Sequence, residues 1–336
     1  MTFTTEAAIL REFGAADVLT MDEIELAWPG RGDDVLLRIE AAGVNPADTF
    51  FRALGTYLGD GPGTVLGHDG AGIVDAVGDN VTSVKVGDRV CFCNGGVGGD
   101  HGTYARHAVV PEWLLAKIPD AVDFVTAASL PLVFITAWEA LVERARLQAD
   151  ESVLMHAGAG GSGHIALQIA DGLGARVATT ISSQAKAELV TSMGAQLAIN
   201  YSDEDFVAAV RQWTDGKGVN VALDNAGAEV FQQTLTAMAP YGRVVTLMGT
   251  PGDLEDETAY NNNLSIHNVM MLTPMWFGLE AERRRQGKIV RQAMEWLQQD
   301  RIRPNVVATY PLEEVAAAHR QLENGGMAGK IVLTMN

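Results

Sequence analysis

Two short stretches hold side chains whose types and spacing could do chemistry. In VLGHDGAG, residues 65–72, His68 stands beside Asp69 between glycines. Imidazole and carboxylate can both bind a divalent cation, but a catalytic zinc needs three protein ligands and an open fourth position. Cys93 and His101 can be written down beside them, yet no helix or hairpin spacing joins the four. His68 and Asp69 are therefore expected to hold a strand turn and the domain interface, and no metal is expected. The second stretch is AGAGGSG, residues 157–163, which follows the apolar run SVLMH and opens an amphipathic segment. Glycines between a strand and a helix let the backbone approach a pyrophosphate, which then rests on the positive end of the helix. Read as A-x-x-G-x-x-G, Ala157, Gly160 and Gly163 hold the three key places, with Gly158, Ala159, Gly161 and Ser162 between them. A dinucleotide site is expected there.

The next strand decides which dinucleotide. An NAD site usually places an Asp or Glu roughly 20 residues on, where it binds the ribose hydroxyls. Here residues 177–183 read VATTISS, with no carboxylate. Thr180, Ser182 and Lys186, with Tyr201 at the end of the following strand, offer hydroxyls and a cation that suit a 2′-phosphate. NADPH is the expected cofactor. His156, just before the loop, is expected to be a packed strand residue.

The elements that must position these residues fall into two textures. Up to about residue 125, short alternating runs such as DDVLLRIEAAGV and GAGIVDAVG lie between Gly, Pro and Asp, the pattern of a twisted, mostly antiparallel β domain. From 126 to 300, strands SVLM, RVATTIS, QLAINY, VNVALD and RVVTLMG alternate with helical segments, which predicts a doubly wound parallel sheet. NVMMLTPM reads as its last strand. The chain from 301 to 336, ending in GKIVLTMN, is expected to return to the first domain. In open α/β sheets ligands lie outside the carboxyl ends of the strands, so Asn225, Met248, Gly249, Met275 and Trp276 become candidate crevice residues, with Trp276 as a wall for an acceptor.

Composition narrows the partners. The chain has 336 residues, 47% of them hydrophobic, enough for a large core in two domains. Its 24 Lys and Arg against 42 Asp and Glu give a formal charge of −18, which repels nucleic acid and anionic lipid. No apolar run approaches the roughly 18 to 20 residues of a membrane helix, and MTFTTEAAILREFG lacks the build of a signal peptide. A cytoplasmic protein is expected, and Cys91 and Cys93 are expected to be reduced packing residues. The run Arg283 to Arg285 reads as a solvated helix face.

AAGVNPADTFFRALGTY, GHDGAGIVDAVGDNVTSVKVGDRV, GTYARHAVV, AASLPLVFITAWEAL, the glycine loop and GGMAGKIVLTMN together resemble the zinc-independent, ζ-crystallin-like quinone oxidoreductases of the medium-chain dehydrogenase/reductase superfamily. The resemblance implies an α/β protein with a GroES-like catalytic domain, a Rossmann domain and commonly a homodimer formed at sheet edges. Carried over, Asn45 and Tyr57 lie near nicotinamide and substrate, Thr136 meets the carboxamide, Lys186 and Tyr201 contact the adenosine phosphate, and Lys330 approaches the cofactor. Phe50 stands where many relatives carry Tyr. In the superfamily's zinc enzymes a cysteine stands at or beside the position of Asn45; GVNPADTF offers none, and Asp69 replaces the Glu of their G-H-E motif.

Without a Lewis acid to polarise a carbonyl, acceptors that are already electron-poor are favoured. NADPH-dependent reduction of quinones is the expected activity, with Tyr57 as first candidate proton donor and Asn45 as a carbonyl-orienting alternative. Reduction of an enone or enal double bond, a non-catalytic crystallin-like protein that binds NADPH, and a zinc alcohol dehydrogenase with displaced ligands remain as alternatives.

Overall fold

Apolar alternation builds the first sheet. In the strand Asp34–Val44, Val35, Leu37 and Ile39 are buried while Arg38 is exposed, and the same side chains join Val74, Val90, Phe92 and Val110 in one core. A computed structural model describes residues 2–28, 30, 32–55, 61, 63–96, 101–254 and 257–335. Tyr57, the expected proton donor and acceptor contact, lies outside the described residues. The chain divides into two compact units, Met1–Ile135 with Leu272–Asn336, and Thr136–Met271.

The first unit carries a seven-stranded sheet. Val306–Pro311, Lys330–Thr334, Asp34–Val44, Asp69–Val77, Arg89–Cys93 and Ala116–Lys117 follow one another across it, and His107–Pro111 also pairs with Asp34–Val44. Its pairings are antiparallel apart from that of Val306–Pro311 with Lys330–Thr334. A hairpin of Thr2–Leu10 and Leu19–Ala27 stands beside it in the same unit. The expected return of the tail is thus seen: Ile331 to Thr334 pair with Val44 to Ala41.

The second unit is a six-stranded, wholly parallel sheet. Its order is Leu197–Asn200, Arg176–Ile181, Ser152–Met155, Val219–Asp224, Met238–Thr246 and Ser265–Asn268. Numbered along this unit, that is the 3-2-1-4-5-6 order of a Rossmann domain. Ser152–Met155 is buried throughout because it is central and covered on both faces, which is why it reads as a continuous apolar run.

Two expectations about this part of the chain are corrected. NVMMLTPM does not form the last strand: Ser265–Asn268 does, and residues beyond it turn into the short helix Thr273–Trp276. Pro274 could not donate to a sheet ladder, and an apolar run alone does not separate a strand from a buried turn. The expected boundaries at 125 and 300 also move, since residues 126–135 and 272–300 belong with the first unit. The helix Glu280–Gln298 explains much of this. Gly287 has no room for a side chain, its Cβ position falling 2.3 Å from the Trp113 carbonyl oxygen, and Arg291 donates to the Trp113 and Leu115 carbonyls at 3.1 and 3.0 Å. The arginine run lies within the same unit: Arg283 donates to Asn94, Arg284 pairs with Glu280 at 2.7 Å and lies 4.6 Å above the Trp113 ring, and Arg285 pairs with Glu282 at 2.8 Å.

Candidate functional site

The first unit gathers a buried polar cluster around the start of the helix Pro46–Leu54. Asn45 has extended backbone and precedes Pro46 at the first helical position, a favourable start because proline's missing N–H has no helical partner to lose there. Asp48 reaches back so that its Oδ2 accepts the Asn45 N–H at 2.8 Å, closing the first turn. Asp48 thereby anchors its own loop, but the carboxylate does more. Its Oδ1 lies 2.6 Å from His68 Nδ1, and its Oδ2 accepts the Tyr104 hydroxyl at 2.9 Å.

The hydrogen-bond directions follow from the donor inventory. Asp48 as a carboxylate only accepts, so His68 carries its proton on Nδ1 and Tyr104 gives its proton to Asp48. The Tyr104 oxygen can then accept from His319 Nε2 at 3.2 Å, and His319 Nδ1 faces Arg52 at 3.5 Å. Arg52 continues to Glu323, 3.2 Å from its NH1. Burial by itself would raise the Asp48 carboxyl, but the charge and hydrogen bond of His68 outweigh it and hold Asp48 below the usual carboxylate range. Burial and then Asp48 push the Tyr104 phenol up. Burial drives His319 down to about 4 although Asp48 opposes it. His68 Nε2 is buried and has no hydrogen-bond partner among the described residues.

Asp69 organises the other half. Its Oδ1 accepts the Leu132 N–H at 2.7 Å, its Oδ2 accepts Asn45 Nδ2 at 2.9 Å, and Lys330 Nζ stands 3.7 Å from that Oδ2. Lys330 also donates to the Val44 carbonyl at 3.1 Å and to Asn45 Oδ1. Burial raises the Asp69 carboxyl and lowers the Lys330 amine, each opposed by the charge of the other. His68 and Asp69 therefore hold the strand turn, as expected, through Asp48 and Lys330. Asn45, expected near the nicotinamide and as a carbonyl-orienting group, is fully buried with its amide oxygen on Lys330 and one amide hydrogen on Asp69. Phe50 is exposed, whereas its neighbour Phe51 is buried against Trp276, ring centroids 6.1 Å apart. Trp276 is itself buried in Thr273–Trp276, and Met275 beside it.

The second unit builds the glycine loop. Ser152–Met155 ends in it, and the helix Gly163–Gly172 begins from it, the context expected of a pyrophosphate cradle. A Cβ at Gly158 would lie 2.0 Å from Thr179 Oγ1, and one at Gly163 would lie 2.3 Å from the Ala157 carbonyl oxygen. Only glycine lets the loop lie this close to the second strand and to the helix start. Ala157 itself has φ +53°, the left-handed region, at a cost of about 1 kcal/mol for a non-glycine residue. Its N–H is held 3.1 Å from Thr180 Oγ1, and Gly158 N–H donates to the Thr180 carbonyl at 3.2 Å. Ala159 is buried, while Gly160, Gly161 and Ser162 keep partial exposure or line the turn.

At the carboxyl end of the second strand, Lys186 Nζ donates to Ser182 Oγ at 2.9 Å, and Tyr201 is exposed with its N–H on the Ile181 carbonyl at 3.2 Å. Thr180, Ser182, Lys186 and Tyr201 are thus brought to one end of the sheet. Asn225, after the fourth strand, donates to the His156 carbonyl at 2.9 Å and leaves a buried Oδ1 with no hydrogen-bond partner among the described residues. Met248 is exposed and Gly249 has φ +82°. Thr136 is buried in the helix Pro131–Trp138. His156 is the packed residue expected: its ring meets Thr180 Oγ1 at 3.2 Å and Thr234 Oγ1 at 2.8 Å, and burial lowers it to about 4.

These geometries fit a nicotinamide dinucleotide. The two glycines let the loop backbone pack closely on the second strand and the helix start, as a pyrophosphate-binding turn requires, and Asn225 Oδ1 is a buried acceptor with no donor among the described residues. Sequence reasoning missed Tyr104, His319, Arg52 and Glu323, which carry no spacing signal toward Asp48, and Asp224, whose carboxylate caps the turn to Ala226 and Gly227 at 3.0 and 2.8 Å.

Two family models match the chain, an alcohol dehydrogenase GroES-like domain over residues 31–120 and a zinc-binding dehydrogenase over residues 193–333. A 2-haloacrylate reductase from Burkholderia is 33% identical over 333 residues, covering 97% of this chain and 98% of the relative. A quinone oxidoreductase from Pseudomonas aeruginosa is 33% identical over 323 residues, covering 96% and 97%. The chain belongs to the quinone oxidoreductase branch of the medium-chain dehydrogenase/reductase superfamily. A solved structure of an alcohol dehydrogenase superfamily protein from Novosphingobium aromaticivorans matches with a TM-score of 0.91 at 32% identity, over 99% of this chain and all of that one. The protein is an oxidoreductase with a GroES-like and a Rossmann domain.

Since one superfamily model is named for zinc, the fit of a metal was tested on the residues present. A zinc-ligating histidine keeps its other nitrogen on a carboxylate, as His68 does through Asp48. The remaining positions do not fit. Asn45 brings a neutral amide already taken by Lys330, Asp69 is engaged by the Leu132 N–H, the Asn45 amide and the charge of Lys330, and no group of three His, Cys, Asp or Glu converges among the described residues.

The two buried histidines give an acid limit to stability. His156 and His319 have folded-state values near 4 against about 6.5 when unfolded, so the unfolded chain binds more protons between those values. Their contribution is whole above about pH 6.5 and is lost as pH falls toward 4, on the order of 3 kcal/mol for each. Urea unfolding midpoints should fall steadily from pH 7 to 4.5, and His156→Gln should flatten the slope. A wild-type midpoint unchanged over that range would contradict it.

Proposed function

We propose that this oxidoreductase uses NADPH, without zinc, to reduce electron-poor conjugated acceptors, quinones first among them. The observation that carries the cofactor choice is Lys186 Nζ on Ser182 Oγ at 2.9 Å, at the end of a strand whose residues 177–183 hold no carboxylate. An ammonium and a hydroxyl suit a 2′-phosphate, which an acidic residue would repel. Bound on the glycine loop, NADPH supplies a hydride from its nicotinamide ring. The loop's N–H groups and the helix start at Gly163 hold the pyrophosphate, Asn225 Oδ1 accepts from the ligand, and Thr136 and Tyr57 stand as expected contacts of nicotinamide and acceptor. Quinones need little activation, so positioning supplies most of the rate. A cytoplasmic homodimer, joined at the open edge of the strand Ser265–Asn268, belongs to the same reading.

Reduction of a carbon–carbon double bond conjugated to a carbonyl or carboxylate is the second reading, favoured by the relative named a 2-haloacrylate reductase. The two are separated by initial rates of NADPH and NADH oxidation by metal-stripped protein with quinones, enones, enals and acrylates. NADPH should be preferred at least tenfold, and Lys186→Ala should weaken NADPH by about ten- to a hundredfold with NADH unchanged. Equal use of both cofactors would overturn the cofactor assignment, and quinone rates below those of acrylates would move the function to double-bond reduction.

A further inference from the structure

Lys330 is almost wholly buried, 3% exposed, and no ligand is needed to explain where its amine goes. Three oxygens surround Nζ: the Val44 carbonyl at 3.1 Å, Asn45 Oδ1, and Asp69 Oδ2 at 3.7 Å. The first two accept N–H groups of the amine, and the Asp69 carboxylate faces it at ion-pair distance as the counter-charge of an ammonium. Each oxygen is fixed from elsewhere. Val44 ends the strand Asp34–Val44, the Asn45 amide is oriented by Asp69, and Asp69 is held by the Leu132 N–H at 2.7 Å. The cage is thus set by groups remote in sequence from Lys330, which enters it from the tail strand Lys330–Thr334.

We infer that the Val44, Asn45 and Asp69 oxygens form a site for a primary ammonium ion, filled in this chain by its own Lys330. A tethered monovalent cation therefore takes up the acceptor oxygens, and it reinforces the orientation that Asp69 gives the Asn45 amide. Lys330 is a positioning residue that acts through Asn45 and Asp69, in place of the expected contact with the cofactor.

The fragment deleted by Lys330→Ala, from Cγ to Nζ, is n-propylammonium, so the variant should leave a cavity that this ion fits. The full-length variant is titrated with propylammonium chloride, with tetramethylammonium and sodium chloride at equal ionic strength as controls, and unfolding is followed thermally. Stabilisation of about 3 °C at 100 mM propylammonium, absent with the controls and absent in the wild type, is the expected result. Because the substitution leaves Asp69 buried without its cation, the variant can fail to fold. It should then recover when refolded with propylammonium, and Lys330→Met combined with Asp69→Asn should fold without amine and ignore it. A variant indifferent to propylammonium, or one stabilised by zinc chloride in its place, overturns the inference. Both readouts are of stability, so they stand or fall apart from the proposed reaction; NADPH turnover of the variant, if wild-type turnover is found, should rise with propylammonium in parallel.

Discussion

Asp48→Ala should lower the unfolding free energy by about 4 kcal/mol or more, among the largest effects of any single substitution in the chain. The carboxylate is fully buried and takes three donors, His68 Nδ1–H, the Tyr104 hydroxyl and the Asn45 N–H. Removing it strands all three away from water, at about 1–3 kcal/mol for each buried donor left unpaired. It also removes the anion whose charge acts on His319. Asp48→Asn keeps the shape but turns an amide N–H toward either His68 or Tyr104, donor against donor, and should cost about half as much. Urea denaturation at pH 7 measures both. A loss below about 1 kcal/mol for the alanine variant would show that the cluster does not hold this helix start.

Gly163→Ala should weaken NADPH binding by about a hundredfold while leaving the fold in place. The new methyl would lie 2.3 Å from the Ala157 carbonyl oxygen and 2.9 Å from Gly158 Cα, both backbone atoms that cannot swing aside like a side chain. The loop must therefore shift from the helix start by enough to misdirect the N–H groups aimed at a pyrophosphate, at a cost of about 2–3 kcal/mol in binding. Gly252→Ala is the control, because nothing lies within 4 Å of the added carbon. Fluorescence titration with NADPH compares them. Equal affinities would mean that the pyrophosphate does not rest on this loop.

The glycine loop and the cluster around Asp48 differ in how readable they were. The glycine loop, the bare strand end and Lys186 fall within 30 residues of one another, and their meaning depends only on one strand, one turn and one helix. Local pattern carries that expectation, and in the structure Lys186 Nζ donates to Ser182 Oγ. The cluster around Asp48 draws on His68 and Tyr104, 20 and 56 positions away, and on Glu323, 271 positions from its partner Arg52, and no periodicity links them. His68 and Asp69 were correctly read as holding a turn, but not what held them. The contacts of Lys330 carried no sequence signal, because only the pairing of the tail strand with Asp34–Val44 reveals where its side chain enters. NVMMLTPM misled for a different reason: apolar character reports burial, and Met271, Leu272 and Met275 are indeed buried without being a strand.

The tail strand also governs the order in which the protein can be made. As the chain leaves the ribosome, residues 34–117 emerge with five of the seven strands of their sheet, yet Val306–Pro311 and Lys330–Thr334 follow only after the entire parallel-sheet unit has been synthesised. At about 5–20 residues per second, the nascent first unit waits roughly ten seconds or more with the edge of Asp34–Val44 open and Asp69 lacking its cation. The inserted unit, complete in itself, can fold during that interval, while the segment before it remains an unfinished sheet that chaperones would recognise. Closure of the first unit therefore waits for synthesis of the inserted unit, and it brings an ion pair and a strand into place in a single step.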